Sequence, residues 1–391
     1  MALKSIHYYF SKYYGFYIFS VFKLQRAAET KMTDGNNVEH LSVVTTTETA
    51  NDVTQTTAAT ATAAMSSSSV VYFRCAVVVI GVVGTAANAL ILYALVASKE
   101  HKKHVLIFHQ NVLDFISSLL LVITDSLKLC DIYIGGFGGY WFCMLIDSEC
   151  VLWVVILSSK VNLIFVTIER YLKVVYHVWS KTKLRDWMMY SAMAFAWISG
   201  FVHMTATAFT TSVMIHGVCY TYVFWKSRAS LIANRVFYFL YFYVIILVIF
   251  VFCYWRILVA IRRQASVMAG HSAAGSSTGQ AQLSHIQTNV VKTMIFVSAF
   301  FAICDLPINV FYILTFTVDP RSIGAGFYYV SLFMTFVYIC ANPFIYATKF
   351  DPVKRVLLDL IPCKKTPVQP SESVEVAARR TTANRSGHSR N

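Results

Sequence analysis

The chain has 391 residues, of which 57% are hydrophobic and only 13% are charged, and its mean hydropathy is +0.57. A typical soluble domain carries about 25% charged residues, so the composition argues against a soluble globular enzyme and against a disordered chain. The formal net charge is +14. Because the basic residues border long apolar runs, we expect contact with a lipid bilayer and no nucleic acid as partner.

The first part of the chain, residues 1–69, is predicted to be a disordered tail rich in Ser and Thr. Residues 42–69 consist mainly of Ser, Thr, Ala and Val without a helical period. Residues 13–22 are apolar and resemble the core of a signal peptide, but no clear cleavage site follows. The alternative is that translation starts at Met32.

Seven apolar stretches then follow, each long enough to cross a bilayer as a helix. Crossing takes about 20 mainly apolar residues, because a helix satisfies its own backbone groups. The stretches are Cys75–Ala97, Val105–Leu127, Leu145–Val166, Trp187–Thr211, Val236–Trp255, Thr293–Val318 and Ile323–Thr348. The sequence therefore predicts an all-α membrane protein, a seven-transmembrane helix bundle over residues 70–349.

Basic residues set the predicted orientation of this bundle. With the N-terminus outside, the inner segments are 98–104, 171–186, 256–292 and 349–365, and they hold 16 Lys and Arg residues. The outer connections together with Arg74 hold six. An excess of positive charge marks the cytoplasmic side. We therefore expect a multi-pass plasma-membrane protein with an extracellular N-terminus and a cytoplasmic C-terminus.

Polar residues inside such helices are costly and tend to mark function, and here they form an ordered set of motifs. In chain order these are Gly84 and Asn88, Asp114, Glu169-Arg170-Tyr171, Trp197, Phe301-xx-Cys304-Asp305-Leu306-Pro307, and Asn342-Pro343-Phe344-Ile345-Tyr346. Over residues 70–363 the chain therefore resembles the rhodopsin-like (class A) family of G-protein-coupled receptors. Within it, the chain resembles divergent invertebrate peptide-type receptors more than amine or lipid receptors.

The resemblance implies a receptor that binds an extracellular ligand, activates heterotrimeric G proteins when its cytoplasmic face opens, and is not an enzyme. In that family Glu169 would restrain Arg170, next to Tyr171, until the arginine is freed to pack against a Gα subunit. Relatives often carry a second restraining acid on the sixth helix, where this chain has Gln287. We therefore expect raised basal signalling.

The seventh helix is expected to loosen at Pro343, which removes a backbone hydrogen bond. Asn342 would satisfy the freed carbonyl or hold water. The resemblance implies that Tyr346 swings inward on activation and meets Tyr254 through water. The fifth helix lacks its usual proline, with Ile246 in that place, so the bulge that proline induces is expected to be missing.

Four polar residues, Asn88, Asp114, Ser159 and Asn342, are expected to meet near mid-membrane. In relatives this cluster holds a sodium ion and water, with the charge supplied by Asp114. The alternative is a purely structural hydrogen-bonded network, which Tyr338 favours because it replaces a small polar partner. We expect no other metal and no cofactor.

The resemblance also implies a disulfide between Cys143 and Cys219 on the oxidising outer side. Cys143 lies 27 residues before Arg170, two more than is commonest in the family. Cys130 and Cys150 therefore stay open as alternative partners.

Two charges inside the helices depart from the family pattern. Asp305 stands where most relatives carry a tryptophan switch, and Lys160 lies in the third helix. An isolated Lys or Asp at the bilayer centre costs about 2.5–3.5 kcal/mol on insertion scales. We expect the two to form a buried ion pair that replaces the tryptophan; the alternative is that each faces other polar groups.

The ligand is predicted from residues in the outer halves of the helices. Leu152 and Phe336 stand where amine receptors carry an aspartate and opsins a lysine, so amines and retinal are disfavoured. The pocket candidates are Asp125, Glu149, Trp153, Asn309, Tyr312 and Tyr328. Acids and aromatics favour a basic or amidated peptide, and the alternative is that most of these residues serve packing.

After the bundle, residues 350–363 predict an interfacial amphipathic eighth helix, with Phe350, Val353, Leu357 and Ile361 on one face. Cys363 is a palmitoylation candidate. Residues 364–391 are predicted to be a disordered cytoplasmic tail whose Ser and Thr residues suit receptor kinases and arrestin.

Two rival interpretations stay open. One is a constitutively active or ligand-independent orphan receptor of the same family. The other is a seven-helix transporter, which would show an internal repeat and paired broken helices; the sequence has neither.

Overall fold

A computed structural model describes residues 67–130, 132, 134–215, 218–271, 278–317, 324–349 and 351–359. Within them, seven helices are long and apolar enough to cross a membrane, and we call them the first to seventh spans. They are Ser68–Ala97, Val105–Leu129, Gly136–Val175, Asp186–Thr211, Arg228–Arg263, Val290–Thr315 and Ala325–Thr348. The predicted fold class is confirmed. Residues 1–66, Phe350, Ile361, Cys363 and the tail 364–391 lie outside the described residues.

The elements follow one another with short connections. In order they are helix Ser67–Ala97, a 3₁₀ turn Glu100–Lys102, helices Val105–Leu129 and Gly136–Phe142, a π-helical turn Cys143–Asp147, helices Cys150–Val175, His177–Lys183 and Asp186–Thr211, strands β1 (Val213–Ile215) and β2 (Val218–Tyr220), helix Arg228–Phe239, a π-helical turn Leu240–Val244, and helices Ile245–His271, Thr278–Thr317, Ala325–Lys349 and Asp351–Asp359. The first helix thus begins at Ser67, within the residues 1–69 that were predicted to be a disordered tail.

The third span occupies the centre of the bundle. From Leu152 to Arg170 most side chains are buried, because the span packs against the second, fourth and fifth spans. The first span packs against the second and seventh. Functional groups on the third span therefore face partners on several helices at once.

Two spans are interrupted where the sequence suggested continuous helices. The third passes through the π-helical turn Cys143–Asp147, and the helix restarts at Cys150 after Glu149 adopts a φ of 55°. The fifth has a π-helical turn at Leu240–Val244 although no proline is present. The expectation that this bulge is missing is therefore wrong. Within the turn, Tyr243 donates to the carbonyl of Ala302 on the sixth span at 3.0 Å.

A disulfide fixes the loop between the fourth and fifth spans to the third. Strands β1 and β2 form an antiparallel hairpin, and Cys219 on β2 is bonded to Cys143. Cys130 and Cys150, the alternatives, are free thiols. We call this the disulfide end of the bundle and the opposite one the Arg170 end.

The short helix Asp351–Asp359 lies against the Arg170 end. Val353 is fully buried in the main apolar core, Val356 and Leu357 are partly buried against it, and Leu358 is exposed. This element corresponds to the predicted amphipathic helix, within the narrower range that the structure describes.

Gly200 permits the close approach of the fourth span to the third. A Cβ at this position would meet the backbone carbonyl of Val154 and lie 2.6 Å from Ser158 Oγ. We expect Gly200→Ala to destabilise the detergent-solubilised protein by about 1–3 kcal/mol, because a backbone neighbour cannot move aside cheaply. Thermal unfolding followed by thiol-reactive dye fluorescence measures this. The matched control is Gly326→Ala, where a Cβ meets nothing within 4 Å; equal stability of both variants would contradict the prediction.

Candidate functional site

A buried ion pair lies between the third and sixth spans. Lys160 Nζ is 2.7 Å from Asp305 Oδ1 and 2.8 Å from Oδ2, and it donates to Tyr238 Oη on the fifth span at 3.0 Å. Both charged residues are completely buried. Since an ammonium group has three N–H donors, every donor has an acceptor. The cost of removing this charge from water is offset only because the arrangement is complete.

The carboxylate of Asp305 also collects two neutral donors. Asn309 Nδ2 reaches Oδ2 at 3.0 Å, and Thr335 Oγ1 on the seventh span donates to Oδ1 at 3.3 Å. The pair thereby joins the third, fifth, sixth and seventh spans. Asn309, a pocket candidate from the sequence, is fully buried and turns toward the pair. Tyr238 and Thr335 were missed, because neither residue type stands out in an apolar helix.

Asp114 on the second span is the centre of a second network. Its Oδ1 accepts from Ser159 Oγ at 2.9 Å and from Gln110 Nε2 at 3.2 Å, and its Oδ2 accepts from Asn342 Nδ2 at 2.9 Å. Asn88 instead donates to the carbonyl of Gly84 at 3.0 Å. Three of the four predicted members therefore meet directly.

Gln110 extends this network across the bundle. Its Oε1 accepts from Asn162 Nδ2 at 2.9 Å, Asn162 Oδ1 lies 3.0 Å from His109 Nδ1, and Trp197 Nε1 donates to His109 Nε2 at 3.1 Å. Because Nε2 accepts from the indole, the imidazole carries its proton on Nδ1. Trp197 is one of the motif residues of the sequence, but Gln110, Asn162 and His109, which connect it to Asp114, were not predicted. Their polar side chains within apolar stretches were the available signal.

The carboxylate of Asp114 is surrounded by amide and hydroxyl donors, but some amide oxygens of the predicted cluster are left without a partner. A hard cation is coordinated by several oxygen atoms, whereas Gln110 and Asn342 direct amide N–H groups at the carboxylate. The side chain of Tyr338 is also buried, and its hydroxyl has no hydrogen-bond partner among the described residues. Since Asn88 Oδ1 and Asn342 Oδ1 are buried without a partner among the described residues, the sodium site and the structural network both stay predictions.

Arg170 is held at the opposite end of the third span. It donates to Glu169 Oε2 at 3.0 Å and to His104 Nδ1 at 2.9 Å, while Lys173 Nζ reaches Glu169 Oε1 at 2.5 Å. Arg170 itself is only 6% exposed. His104, just before the second span, was not predicted as a partner. Tyr171 lies beside this cluster, with its ring against Tyr176 and Phe252.

His104 is electrically neutral in this cluster. Burial, followed by the positive charges of Arg170, Lys173 and Lys103, lowers the pKa of its imidazole to about 2. The neutral ring accepts from Arg170 through Nδ1, so its proton lies on Nε2, which is 3.5 Å from Glu100 Oε2. The guanidinium is therefore held by one acid and one neutral acceptor.

Tyr254 and Tyr346, the two tyrosines predicted to meet on activation, are not hydrogen-bonded to each other in this structure. Tyr254 Oη is bonded to Ser298 Oγ at 2.8 Å and to Thr167 Oγ1 at 3.1 Å. Tyr346 is buried, and its hydroxyl has no hydrogen-bond partner among the described residues. Pro343 lies within the helix Ala325–Lys349, three residues before Tyr346.

At the disulfide end, both predicted acids of the pocket are already paired. Asp125 lies 3.5 Å from Arg74. Glu149 forms an ion pair with Lys128 and accepts from Trp153 Nε1 at 3.2 Å. Neither carboxylate is therefore an unpaired charge awaiting a cationic ligand.

The predicted aromatic residues of the pocket do cluster. Tyr312 packs edge-on against Tyr238, with ring centroids 5.8 Å apart. Tyr328 lies against Phe311 at 5.1 Å. Phe311 is in turn 5.9 Å from Tyr312, so the tyrosines of the sixth and seventh spans share one aromatic wall.

Comparison with known proteins identifies the class to which this architecture belongs. Residues 87–346 match the family described as 7 transmembrane receptor (rhodopsin family), and the chain belongs to that family. The crystal structure of squid rhodopsin is similar with a TM-score of 0.63 and 15% identity, over 83% of this chain and 92% of that one. No curated protein matches the chain. The protein is therefore a non-enzymatic class A receptor with seven spans.

Removing one partner of the Lys160–Asp305 pair should be strongly destabilising. We expect Lys160→Met and Asp305→Asn each to cost about 3–5 kcal/mol, because a buried charge is left without its partner. The double variant Lys160→Met/Asp305→Leu should recover much of that loss. Thermal stability and cell-surface expression measure both effects. Lys181→Met, at an exposed lysine, is the control; single variants as stable as this control would show that the pair contributes nothing.

The neutral state of His104 predicts a loss of stability in acid. The unfolded chain gains a proton near pH 6.5 and the folded protein only near pH 2, so stability falls as the pH drops below 6.5. From pH 7.5 to 5.5 this amounts to about 1.4 kcal/mol. Thermal midpoints of the solubilised protein should fall less in His104→Asn, which keeps an acceptor for Arg170 but does not titrate. An identical pH dependence in both proteins would contradict the assignment.

Proposed function

We propose that this receptor lies in the plasma membrane with its disulfide end outside and its Arg170 end in the cytosol. An extracellular ligand, a peptide, binds at the disulfide end and opens the Arg170 end to heterotrimeric G proteins. The excess of Lys and Arg in the connections at the Arg170 end supports this orientation. The disulfide supports it too, because such bonds persist in oxidising surroundings.

The observation that carries the proposal is the restraint of Arg170. Its guanidinium is bonded to Glu169 and His104 and is nearly inaccessible. Movement of the second span relative to the third would remove His104 and release the arginine toward the cytosol. Restraint in one arrangement and exposure in another is what a two-state switch requires.

The Lys160–Asp305 pair is proposed to take the role of the missing tryptophan switch. It connects four spans through charge-assisted hydrogen bonds, and separating its two charges would leave each of them buried without compensation. When a ligand displaces the sixth span, Lys160 and Asp305 must therefore exchange their present hydrogen-bond partners for another complete set. Tyr254 and Tyr346 would re-pair as the fifth, sixth and seventh spans move.

Basal activity without ligand is a second candidate behaviour. All the described partners of Arg170 come from the third span and from His104. No residue of the sixth span, Val290–Thr315, is bonded to Arg170, and Gln287 lies outside the residues whose side chains the structure describes. Receptor kinases, arrestin and lipidation at Cys363 are proposed on the family resemblance alone.

Signalling from cells that carry the receptor tests this proposal. We expect Arg170→Gln to abolish G-protein activation, Glu169→Gln to raise basal activation several-fold, and Gln287→Glu to lower it by adding an acid that can pair with Arg170. Dissociation of Gα from Gβγ, measured by energy transfer across a panel of Gα subunits at matched surface expression, reports all three.

The control for these variants is Lys183→Gln, an exposed lysine at the same end of the bundle, which should leave basal activation unchanged. If Glu169→Gln activates no member of the Gα panel, or if Arg170→Gln signals like the unmodified receptor, the proposed function is wrong.

A further inference from the structure

We infer that Arg235, at the disulfide end of the fifth span, binds an anionic group of the ligand, and that for a peptide this group is a free C-terminal carboxylate. The inference rests on the proposed function and specifies the chemistry of its ligand. It replaces the basic or amidated peptide that the acids in the sequence suggested.

Arg235 is partly buried between the fifth and sixth spans. Its Nη1 donates to Thr315 Oγ1 at 2.5 Å, and its Cζ lies 5.7 Å from the centroid of the Tyr312 ring. Tyr328 belongs to the same aromatic wall, because its ring contacts Phe311, which contacts Tyr312. The side chain is therefore directed at the aromatic wall of the predicted pocket.

Arg235 has no carboxylate partner, unlike the other buried or half-buried Lys and Arg residues of the described spans. Each remaining Lys or Arg of the described span residues that is not exposed has a carboxylate within 4.0 Å. These residues are Arg74, Lys128, Lys160, Arg170 and Lys173. No described carboxylate lies that close to Arg235.

The pocket therefore carries an uncompensated positive charge. The two acids predicted to line the pocket, Asp125 and Glu149, are paired with Arg74 and Lys128. A guanidinium has five N–H donors in a planar fork, and Arg235 uses one of them on Thr315. The remaining donors can bind a carboxylate through two parallel hydrogen bonds.

Hydrogen-bonding capacity beside Arg235 supports the same ligand chemistry. The hydroxyls of Tyr312 and Tyr328 have no hydrogen-bond partner among the described residues. Neither oxygen is one of the fully buried atoms that lack a partner. They can therefore donate to an anion that reaches the guanidinium. A cationic ligand would meet Arg235 with nothing to offset the repulsion.

This position also connects to the buried ion pair. Tyr312 packs against Tyr238, whose hydroxyl accepts from Lys160. A carboxylate on Arg235 would thus act on the aromatic ring that contacts the Lys160–Asp305 pair.

Charged thiol reagents test the site without a known ligand. In a receptor with the exposed Cys75 and Cys130 changed to Ser, Tyr312→Cys is introduced, and its reaction rates with an anionic sulfonate and a cationic ammonium methanethiosulfonate are compared on intact cells. A unit charge about 6 Å away changes each rate by roughly tenfold at an effective dielectric constant of about 40. We therefore expect Arg235→Gln to lower the anion-to-cation rate ratio by at least about tenfold.

Two controls make the result specific. Arg235→Lys keeps the positive charge and should keep the rate ratio. The second control keeps Tyr312 and has Cys130 as the reacting thiol, and there Arg235→Gln should leave the ratio unchanged. An unchanged ratio at position 312 in Arg235→Gln overturns the inference. It would leave the proposed function standing, because the measurement does not depend on signalling.

The source of the anion is decided with matched ligands. Peptides are tested as pairs that differ only in a free or amidated C-terminus, beside fatty acids and amino acids, on cells with the receptor or with Arg235→Gln. If peptides with a free C-terminus activate the receptor and lose at least tenfold in potency in Arg235→Gln, a peptide carboxylate is supported. If fatty acids or amino acids show the same dependence on Arg235, the anion site is supported and its ligand is a small carboxylate. Amidated peptides equal to their free acids overturn the inference.

Discussion

The interior of this bundle has little access to water, so a buried polar side chain must find its partner in the protein. This constraint fixes where the helices lie relative to one another. The ammonium of Lys160 is tolerable at mid-bundle only because Asp305 and Tyr238 accept all three of its protons. Since these residues come from three different spans, the register of each span is set by the same few hydrogen bonds.

The same constraint turns structural contacts into elements of a switch. A complete buried network has few arrangements of comparable energy, because partial ones leave a charge or an amide unpaired. The Asp114 network connects the second span to the third and seventh, and Arg170 is held where the third span meets His104. Displacement of one helix therefore requires coordinated re-pairing along the bundle, which is how a small movement at one end reaches the other.

The sequence by itself determined the number of spans, the order of the polar motifs and the resemblance to class A receptors. Each of these follows from local pattern, because an apolar stretch of about 20 residues specifies a crossing whatever surrounds it. It also led to the expectation that Lys160 meets Asp305, since two opposite charges at similar depth have few other ways to be satisfied. The structure places the two in contact.

Only the tertiary structure decided which side chains meet across helices. Hydropathy does not specify the rotation of a helix about its axis, so Gln110 and His104 could not be assigned to Asp114 and Arg170 in advance. The π-helical turn at Leu240–Val244 changes which face of the fifth span its later residues lie on, and no proline in the sequence indicates this turn. For the same reason the sequence showed acids at the disulfide end but not that they were neutralised. Pairing depends on the distance between side chains from different spans, and packing sets that distance.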